Sequence, residues 1–522
     1  MTAGVARKVV EGLRAGGARR LFGVPGGGPN LEIVGDAATL GIPFTLFHTE
    51  SAACIAASTY GLLSESVGAA VVTRGPGVAS AANGVAQATL DKQPLVLVGD
   101  TVPLTNRSWV GHQQFDQPAM MRPVTKWSGT VGHSRTTRAS EAAARLAAAH
   151  PQGAVHIDMD SSVAGDLPPD QPSLTRSGVF PDEMRGLVRK AERPLLIVGT
   201  GALPWTEEVR LVVADSGCPV LTTYHAKGLI DETTPEFGGL FTSSLLEEPL
   251  LRRSDLVLAV GVDPAEPLPR PFRYRMPVIE INPWANPRRF FPGEAEVRGE
   301  VGPILESLAP DLGRHRWAAG AGRKAWREAR SALWEDGPGF TPHQAVKAVA
   351  EWSAGQGGAT VTLDAGAHFL VAMPLLPVTE PRRILISNGL STMGYALPAA
   401  LGAALARPGT PAVCLTGDGG LGIPLAELET LARTGADVVV VVFNDAALTL
   451  IELKQSPGQG GHGAVRYRTI DFAAVARACG MEGVVAENQA QLAAALDGSR
   501  PRLVDARIDP TAYRTVIETA RG

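Results

Sequence analysis

Short apolar runs alternate with Ala- and Leu-rich stretches along the whole 522-residue chain. That alternation of strand-like and helix-like segments predicts parallel α/β layers. Runs at 20–24, 69–73 and 94–99 read as strands of a first block, 1–165, which is followed by the turn-rich stretch 166–172. Runs at 194–198, 256–260 and 278–281 mark a second block, 178–312. Runs at 360–364, 413–416 and 438–443 mark a third, 341–522. At roughly 150 residues per domain, three doubly wound parallel-sheet domains account for the length. Between the second and third blocks lies a charged stretch with Trp317, Trp326 and Trp334. It reads as a linker carrying a surface helix, its tryptophans packing onto a neighbouring domain.

Composition narrows the function classes. Lys and Arg total 48 against 52 Asp and Glu, a net charge of −4, which is a poor electrostatic match for nucleic acid. Charged residues are 19% and apolar residues 45%, enough for large cores and too apolar for a disordered chain. Cys54, Cys218, Cys414 and Cys479 show no C-x-x-C spacing, so buried free thiols in a reducing compartment are expected. Val5, Val9, Val10 and Leu13 form a helical stripe broken by charges rather than a secretory signal. The apolar run 438–443 falls far short of the ~20 residues of a membrane span. These features predict a cytoplasmic protein with no membrane or nucleic-acid partner.

The third block holds the most specific chemical pattern. It reads Val413-Cys-Leu-Thr-Gly417-Asp418-Gly419-Gly420, then an amphipathic stretch with Leu425, Leu428 and Leu431, then the strand 438–443 and Asn444-Asp445. Two acids thus follow strands at their carboxyl ends, where open α/β sheets bind ligands. Asp418 can give a hard oxygen to Mg²⁺. Asp445, 27 residues later, can give a second, and the Ala447 carbonyl a third. Mg²⁺ favours such a set, a few protein oxygens plus substrate phosphates. Gly419 and Gly420 carry no side chains, so their N–H groups can approach a diphosphate at a helix start.

This pattern resembles the thiamine diphosphate signature of the superfamily that includes acetolactate synthase, benzoylformate decarboxylase and pyruvate decarboxylase. That family usually shows Asn-Asn where this chain has Asn444-Asp445, a change that keeps an oxygen ligand and adds a negative charge. The first block carries further matching segments in order. These are Phe22-Gly-Val-Pro-Gly26-Gly27-Gly28, Phe47-His-Thr-Glu50, Val72-Thr-Arg74-Gly75-Pro76-Gly77, and Leu90-Asp-Lys-Gln-Pro. They are similar to the family's pyrimidine-binding domain, with Gly26 and Gly27 as candidate cofactor contacts. Glu50 matches the catalytic glutamate, which favours the imino tautomer of the aminopyrimidine ring. Such a carboxyl needs an apolar pocket to hold a useful pKa, and Ala52, Ala53 and Ile55 fit that environment.

The resemblance spans nearly the whole chain. Segment 220–230 is similar to the family's central domain. Acetolactate synthases often carry a non-redox FAD there. The Arg-rich segment they use after the strand 256–260 is replaced here by Asp263-Pro-Ala-Glu-Pro-Leu-Pro, which weighs against FAD. Val198-Gly-Thr-Gly-Ala is only a lone Gly-x-Gly as a dinucleotide fingerprint.

Asn388-Gly-Leu-Ser391-Thr-Met393-Gly394 looks like the segment beneath the cofactor. Met393 matches the bulky residue that bends thiamine diphosphate, and the Ser391 carbonyl matches the acceptor for its exocyclic amine. Asp364-Ala-Gly-Ala-His368 is similar to a segment reaching the diphosphate. His368 is then a candidate phosphate donor, a satisfied core histidine being the alternative. In the loop 111–116, Gln113 aligns with a Gln common in acetolactate synthases. His112 replaces an aromatic and reads either as a proton shuttle or as loop structure. His462, in the Gly-rich loop 456–463, reads as part of a flexible surface loop or of a mobile lid.

What the resemblance implies is decarboxylation of a 2-oxo acid through an enamine, dependent on thiamine diphosphate and Mg²⁺. Aldehyde release or acyloin-type carboligation would follow. Lys454 stands where acetolactate synthases place a Trp, and Arg74 precedes Gly75-Pro-Gly, so a polar or anionic substrate is one reading. Acetolactate synthase-type transfer of a two-carbon unit is an alternative. A non-catalytic homologue is another, opposed by the intact Glu50, Asp418 and Met393. In this family the two ends of the cofactor bind different subunits. A homodimer or homotetramer is therefore expected, Glu50 of one chain serving the Asp418 site of another.

Overall fold

The computed structural model describes residues 4–170, 180–286, 288–293, 295–456, 459 and 463–521. His462 lies outside the described residues. Three six-stranded sheets follow one another along the chain. The first runs, edge to edge, Phe44–Leu46, Ala18–Val24, Val67–Val72, Leu95–Asp100, Ala154–Met159, Trp127–Val131. The second runs Glu296–Arg298, Val278–Asn282, Leu256–Val260, Pro194–Val198, Val220–Thr222, Phe237–Leu240. The third runs Ile384–Ile386, Thr360–Leu363, Ala412–Gly417, Val438–Asn444, Arg502–Arg507, Glu482–Ala486. The strand pairs are parallel in each sheet. Helices cover both faces, so central strands such as Val438–Asn444 are buried at every position and read as unbroken apolar runs.

The strand order reverses within each sheet. In the first sheet the chain leaves Ala18–Val24 to one side for Phe44–Leu46 and then returns to the other for Val67–Val72. In the third it leaves Thr360–Leu363 for Ile384–Ile386 and returns for Ala412–Gly417. Such a reversal opens a crevice at the carboxyl ends of the two strands that flank it.

The first and third sheets are joined by a helix pair. Glu50–Leu63 is Ala-rich and buried along almost its whole length. It packs on the apolar helix Ala396–Ala406, whose Gly402 allows a close approach: a Cβ there would strike the Ala56 carbonyl. The buried Glu427 accepts from the Thr49 N–H at 3.0 Å and its hydroxyl at 3.1 Å, and from the His48 N–H at 3.2 Å. The start of the Glu50 helix is thereby fixed to the third domain.

The tryptophan-bearing stretch is no free linker. Its helix, Ala321–Ser331, lies against the strand Phe237–Leu240 at the edge of the second sheet. The ring of Trp326 meets Phe237 edge-on at 5.9 Å, and the Trp317 indole donates to the Pro194 carbonyl at 2.7 Å. Both tryptophans are buried, whereas Trp334 is 39% exposed. No helix among the described residues is long and apolar enough to cross a membrane.

Candidate active site

The crevice of the third sheet gathers Asp364, Asp418 and Asp445 from three neighbouring strand ends. Asp364, just beyond Thr360–Leu363, is buried and acts as the organiser. Its carboxylate accepts from the Gly394 N–H at 3.0 Å, the Tyr395 N–H at 3.3 Å, the Ala365 N–H at 3.1 Å and the Thr416 hydroxyl at 3.0 Å. Burial raises its pKa to about 6, those donors offsetting part of the cost. Gly420 passes so close that a Cβ would sit 2.6 Å from Asp364 Oδ2 and 2.8 Å from Thr416 Oγ1.

Asp418 opens a single helical turn, Asp418–Leu421, rather than a long helix; the amphipathic helix Glu427–Thr434 begins only after Pro424. The Gly419 N–H, expected to be free for a phosphate, already donates to Asp418 Oδ1 at 2.6 Å. Asp418 Oδ2 is buried without a hydrogen-bond partner. Asp445 accepts from the Thr449 hydroxyl at 2.6 Å. Burial pushes Asp445 up to about 7 despite that bond, with the charge of Asp418 adding to the rise. Burial likewise raises Asp418, although the amides of Gly419, Ala446, Ala447 and Asp445 oppose it. Ala447 lines the same cavity. Two adjacent carboxylates are costly to bury unpaired, and a divalent cation between them removes that cost.

His368 stands on the helix Ala367–Leu375, its ring stacked on Phe443 at 5.2 Å. It is 3% exposed, and burial lowers its pKa to about 4, so the imidazole is neutral at ordinary pH. Its Nε2 has no hydrogen-bond partner. The ring still has backbone hydrogen bonds, to Leu415 and Asp364, so only one of its nitrogens is left unpartnered.

Asp418, Asp445, Ala447 and His368 line a cavity of about 350 Å³ together with Ser391, Met393, Tyr224 and Lys454. Ser391 has φ +55°, a left-handed conformation that a non-glycine residue holds only where the surroundings enforce it. Ala446, between Asp445 and Ala447, has φ +57°. Tyr467 was not singled out from the sequence. Its N–H donates to the Ala446 carbonyl at 2.9 Å, and its hydroxyl would lie 2.5 Å from a Cβ on Gly419. No sequence pattern marks it, because 20 residues and a loop separate it from its partner.

The residues expected from the first block lie at the other crevice. Glu50 begins its helix beside the turn Gly75-Pro76-Gly77; a Cβ on Gly77 would be 3.5 Å from its Oε1. Burial raises the Glu50 pKa, its own backbone amide only partly offsetting this. Gln113, at φ +56°, packs on Gly75, whose added Cβ would meet its Cβ at 2.8 Å. A Cβ on Gly26 would strike the Thr73 side chain, whereas Gly27 faces open space. His112 is exposed on the loop next to Gln113. Arg74 is engaged by a buried carboxylate: its N–H and guanidinium donate to Asp100 at 2.8 and 3.3 Å. That pairing removes it as a lone cation for substrate. Within one chain, then, Glu50 and Gln113 form one cluster and Asp418, Asp445, Ala447, His368, Ser391 and Met393 form another. No residue of the first domain lines the 350 Å³ cavity.

The chain matches three consecutive domains of one family: the thiamine pyrophosphate enzyme N-terminal TPP binding domain over 4–120, its central domain over 182–308, and its C-terminal TPP binding domain over 364–506. It is similar to the acetolactate synthase of Bacillus subtilis (strain 168), at 27% identity over 97% of this chain and 93% of the relative. The acetolactate synthase large subunit of Haemophilus influenzae is 28% identical over 92% of this chain and 89% of its own length. The catabolic acetolactate synthase of Raoultella terrigena is 27% identical, with 96% and 94% covered.

Proposed function

Because this chain belongs to the thiamine pyrophosphate enzyme family, in its acetolactate synthase-like branch, we propose that it decarboxylates a 2-oxo acid and releases an aldehyde or joins the two-carbon or larger unit to a second carbonyl. The observation that carries the reading is the pair of orphaned buried atoms, Asp418 Oδ2 and His368 Nε2, at the crevice of the third sheet. Buried polar atoms without partners are costly, and these two suit a Mg²⁺–diphosphate group. Asp418, Asp445 and the Ala447 carbonyl would hold the metal. His368 and Gly420 would meet the diphosphate, with Gly419 beside it once its N–H leaves Asp418 Oδ1, and Ser391 and Met393 would lie under the rings. Bound there, thiamine diphosphate supplies a nucleophilic carbon and an electron sink for loss of carbon dioxide. Glu50, kept protonated to higher pH by burial, would hold the proton at the ring nitrogen, with Gly26 and Gly27 beside it. Gln113 and His112 would face the reacting carbon.

Within one chain the Glu50 cluster does not line the Asp418 cavity, so the active form in this reading is a dimer or a pair of dimers that would bring the two together. Exposed apolar residues support it. Trp109, Phe115 and Met120 are 73, 40 and 39% exposed beside Gln113, and Ile423, Ile451 and Ile470 are 60, 47 and 43% exposed around the metal motif. FAD is left out of the reading. At the central crevice Glu266 accepts from the Thr200 and Thr223 hydroxyls at 2.7 and 2.6 Å and from the Asp263 N–H at 3.0 Å. A carboxylate of the chain thus takes donors that a pyrophosphate would need. The buried thiols of Cys54, Cys218 and Cys414 suit a cytoplasmic setting.

The test is carbon dioxide release from a panel of 2-oxo acids with thiamine diphosphate and Mg²⁺, beside Glu50→Gln. Release that needs the cofactor and collapses in the variant supports the reading. The aldehyde-to-acyloin ratio then separates decarboxylase from carboligase. Tight cofactor binding with no release from any acid would overturn it.

A further inference from the structure

The segment 388–394 is held by all three domains at once. From its own domain, Asp364 takes the Gly394 and Tyr395 amides. From the central domain, the Glu266 carbonyl accepts from Asn388 Nδ2 at 2.8 Å. From the first domain, the helix Pro76–Leu90 reaches it at two points. Asn83 and Thr392 hydrogen-bond through their side chains at 2.9 Å. The residue that closes the helix, Asp91, accepts from the Gly389 N–H at 2.6 Å.

Asp91 does not line the cavity. Its carboxylate is completely buried, and it is further fixed by Gln87 Nε2 at 3.1 Å and His225 Nε2 at 3.2 Å. Gly389 comes so near that a Cβ would lie 2.9 Å from both the Leu90 carbonyl and its Cβ, and 3.0 Å from Asp91 Oδ1. Two residues beyond Gly389 the backbone enters the left-handed conformation of Ser391, and two further on Met393 enters the cavity. A strained turn of this kind persists only while its surroundings over-determine it. The contact across 298 residues supplies that constraint.

We propose that Asp91 is a positioning residue: its bond to the Gly389 amide sets the Ser391–Met393 turn in the shape that receives the ring portion of thiamine diphosphate. The proposal rests on the functional reading above. Asp91 acts through the turn and touches neither cofactor nor substrate. Its influence is therefore confined to the ring end of the site. The diphosphate end, built from Asp418, Gly419, Gly420 and Asp445, hangs on other strands.

That division gives the test. Dissociation constants for thiamine diphosphate and for inorganic pyrophosphate, both with Mg²⁺, are measured by titration calorimetry on full-length wild type, Asp91→Ala, Asp91→Asn and Gly389→Ala. Asp91→Ala should weaken thiamine diphosphate by about 10- to 100-fold, the range for a lost buried bond to a charged acceptor, and leave pyrophosphate unchanged. Asp91→Asn, which keeps a carbonyl acceptor for the Gly389 amide, should recover most of the loss. Gly389→Ala should show the same selective loss by pushing the turn off Leu90. Equal weakening of both ligands, or none of either, overturns the proposal. If Asp91→Ala does not fold, the Asn and Gly389 variants decide by the same selectivity. Wild type that binds pyrophosphate but no thiamine diphosphate would overturn the functional reading itself.

Discussion

At the scale of single residues, the proposed chemistry hangs on groups that are expensive to bury. Glu50 is costly to ionise, which suits a carboxyl that must present a proton to a ring nitrogen. Glu50→Gln is expected to lower kcat by at least about 100-fold while the diphosphate end still binds, checked by steady-state kinetics beside calorimetry. Gly420 is sterically closed: an added methyl meets Asp364 Oδ2 at 2.6 Å. Gly420→Ala should therefore cost about 1–3 kcal/mol by thermal unfolding and weaken cofactor binding as Asp364 moves. Asp445→Asn keeps an oxygen ligand and removes a charge that burial resists. Mg²⁺-dependent activity should survive it within about tenfold, whereas Asp418→Ala should abolish it. Asp418 and Asp445 stand out in the sequence because each follows a recognisable apolar strand, whereas His368 stands out only through the resemblance of segment 364–368 to the family. Asp364 was legible only as part of a segment. Its role as an acceptor for backbone amides 30 residues away depends on contacts that no local pattern records.

At the scale of elements, most long central strands were legible, but the interior strands Ala154–Met159 and Arg502–Arg507 and the shortest strands were not. Pro194–Val198 and Leu256–Val260 fall on the predicted runs, and Val438–Asn444 extends its run by one residue. Phe44–Leu46, Val220–Thr222 and Ile384–Ile386 have three residues each, too few for a periodicity to emerge. Glu482–Ala486 is missed for another reason: it is an edge strand opened by a charged residue and a glycine, with two of its five positions exposed. The tryptophan helix was legible as a packing element but not as part of the central domain, since only the fold reveals that Phe237–Leu240 lacks a cover without it. The single-turn element Asp418–Leu421 and the bonds from 465–467 to Ala446 and Leu448 make one small assembly around the metal motif. Loading with thiamine diphosphate and Mg²⁺ should slow amide exchange in 418–421 and 445–449. It should leave the helix Val5–Ala15 unchanged, as read by hydrogen-exchange mass spectrometry.

At the scale of the whole molecule, each half-site sits at a switch point of its own sheet. The Ala18–Val24 and Val67–Val72 crevice carries the Glu50 cluster, and the Thr360–Leu363 and Ala412–Gly417 crevice carries the Asp418 cluster. The helix pair Glu50–Leu63 and Ala396–Ala406 locks the two domains of one chain together, so closing Glu50 onto its own Asp418 cavity would require breaking that buried contact. In the proposed dimer a second copy would require no such break and would cover apolar surface such as Trp109 and Ile423, which are 73 and 60% exposed in the single chain. A two-fold pair of the proposed kind would build each site from both chains. Glu50→Gln and Asp418→Ala are each expected to be inactive alone. Unfolded together at equal amounts and refolded, they should form hybrid dimers in which one site of two holds both Glu50 and Asp418. Random pairing then restores about a quarter of wild-type activity per chain. Light scattering should give twice the chain mass or a multiple of it. Activity that stays at zero in a refolded mixture, with wild type refolding in parallel, would mean that each chain builds its site alone.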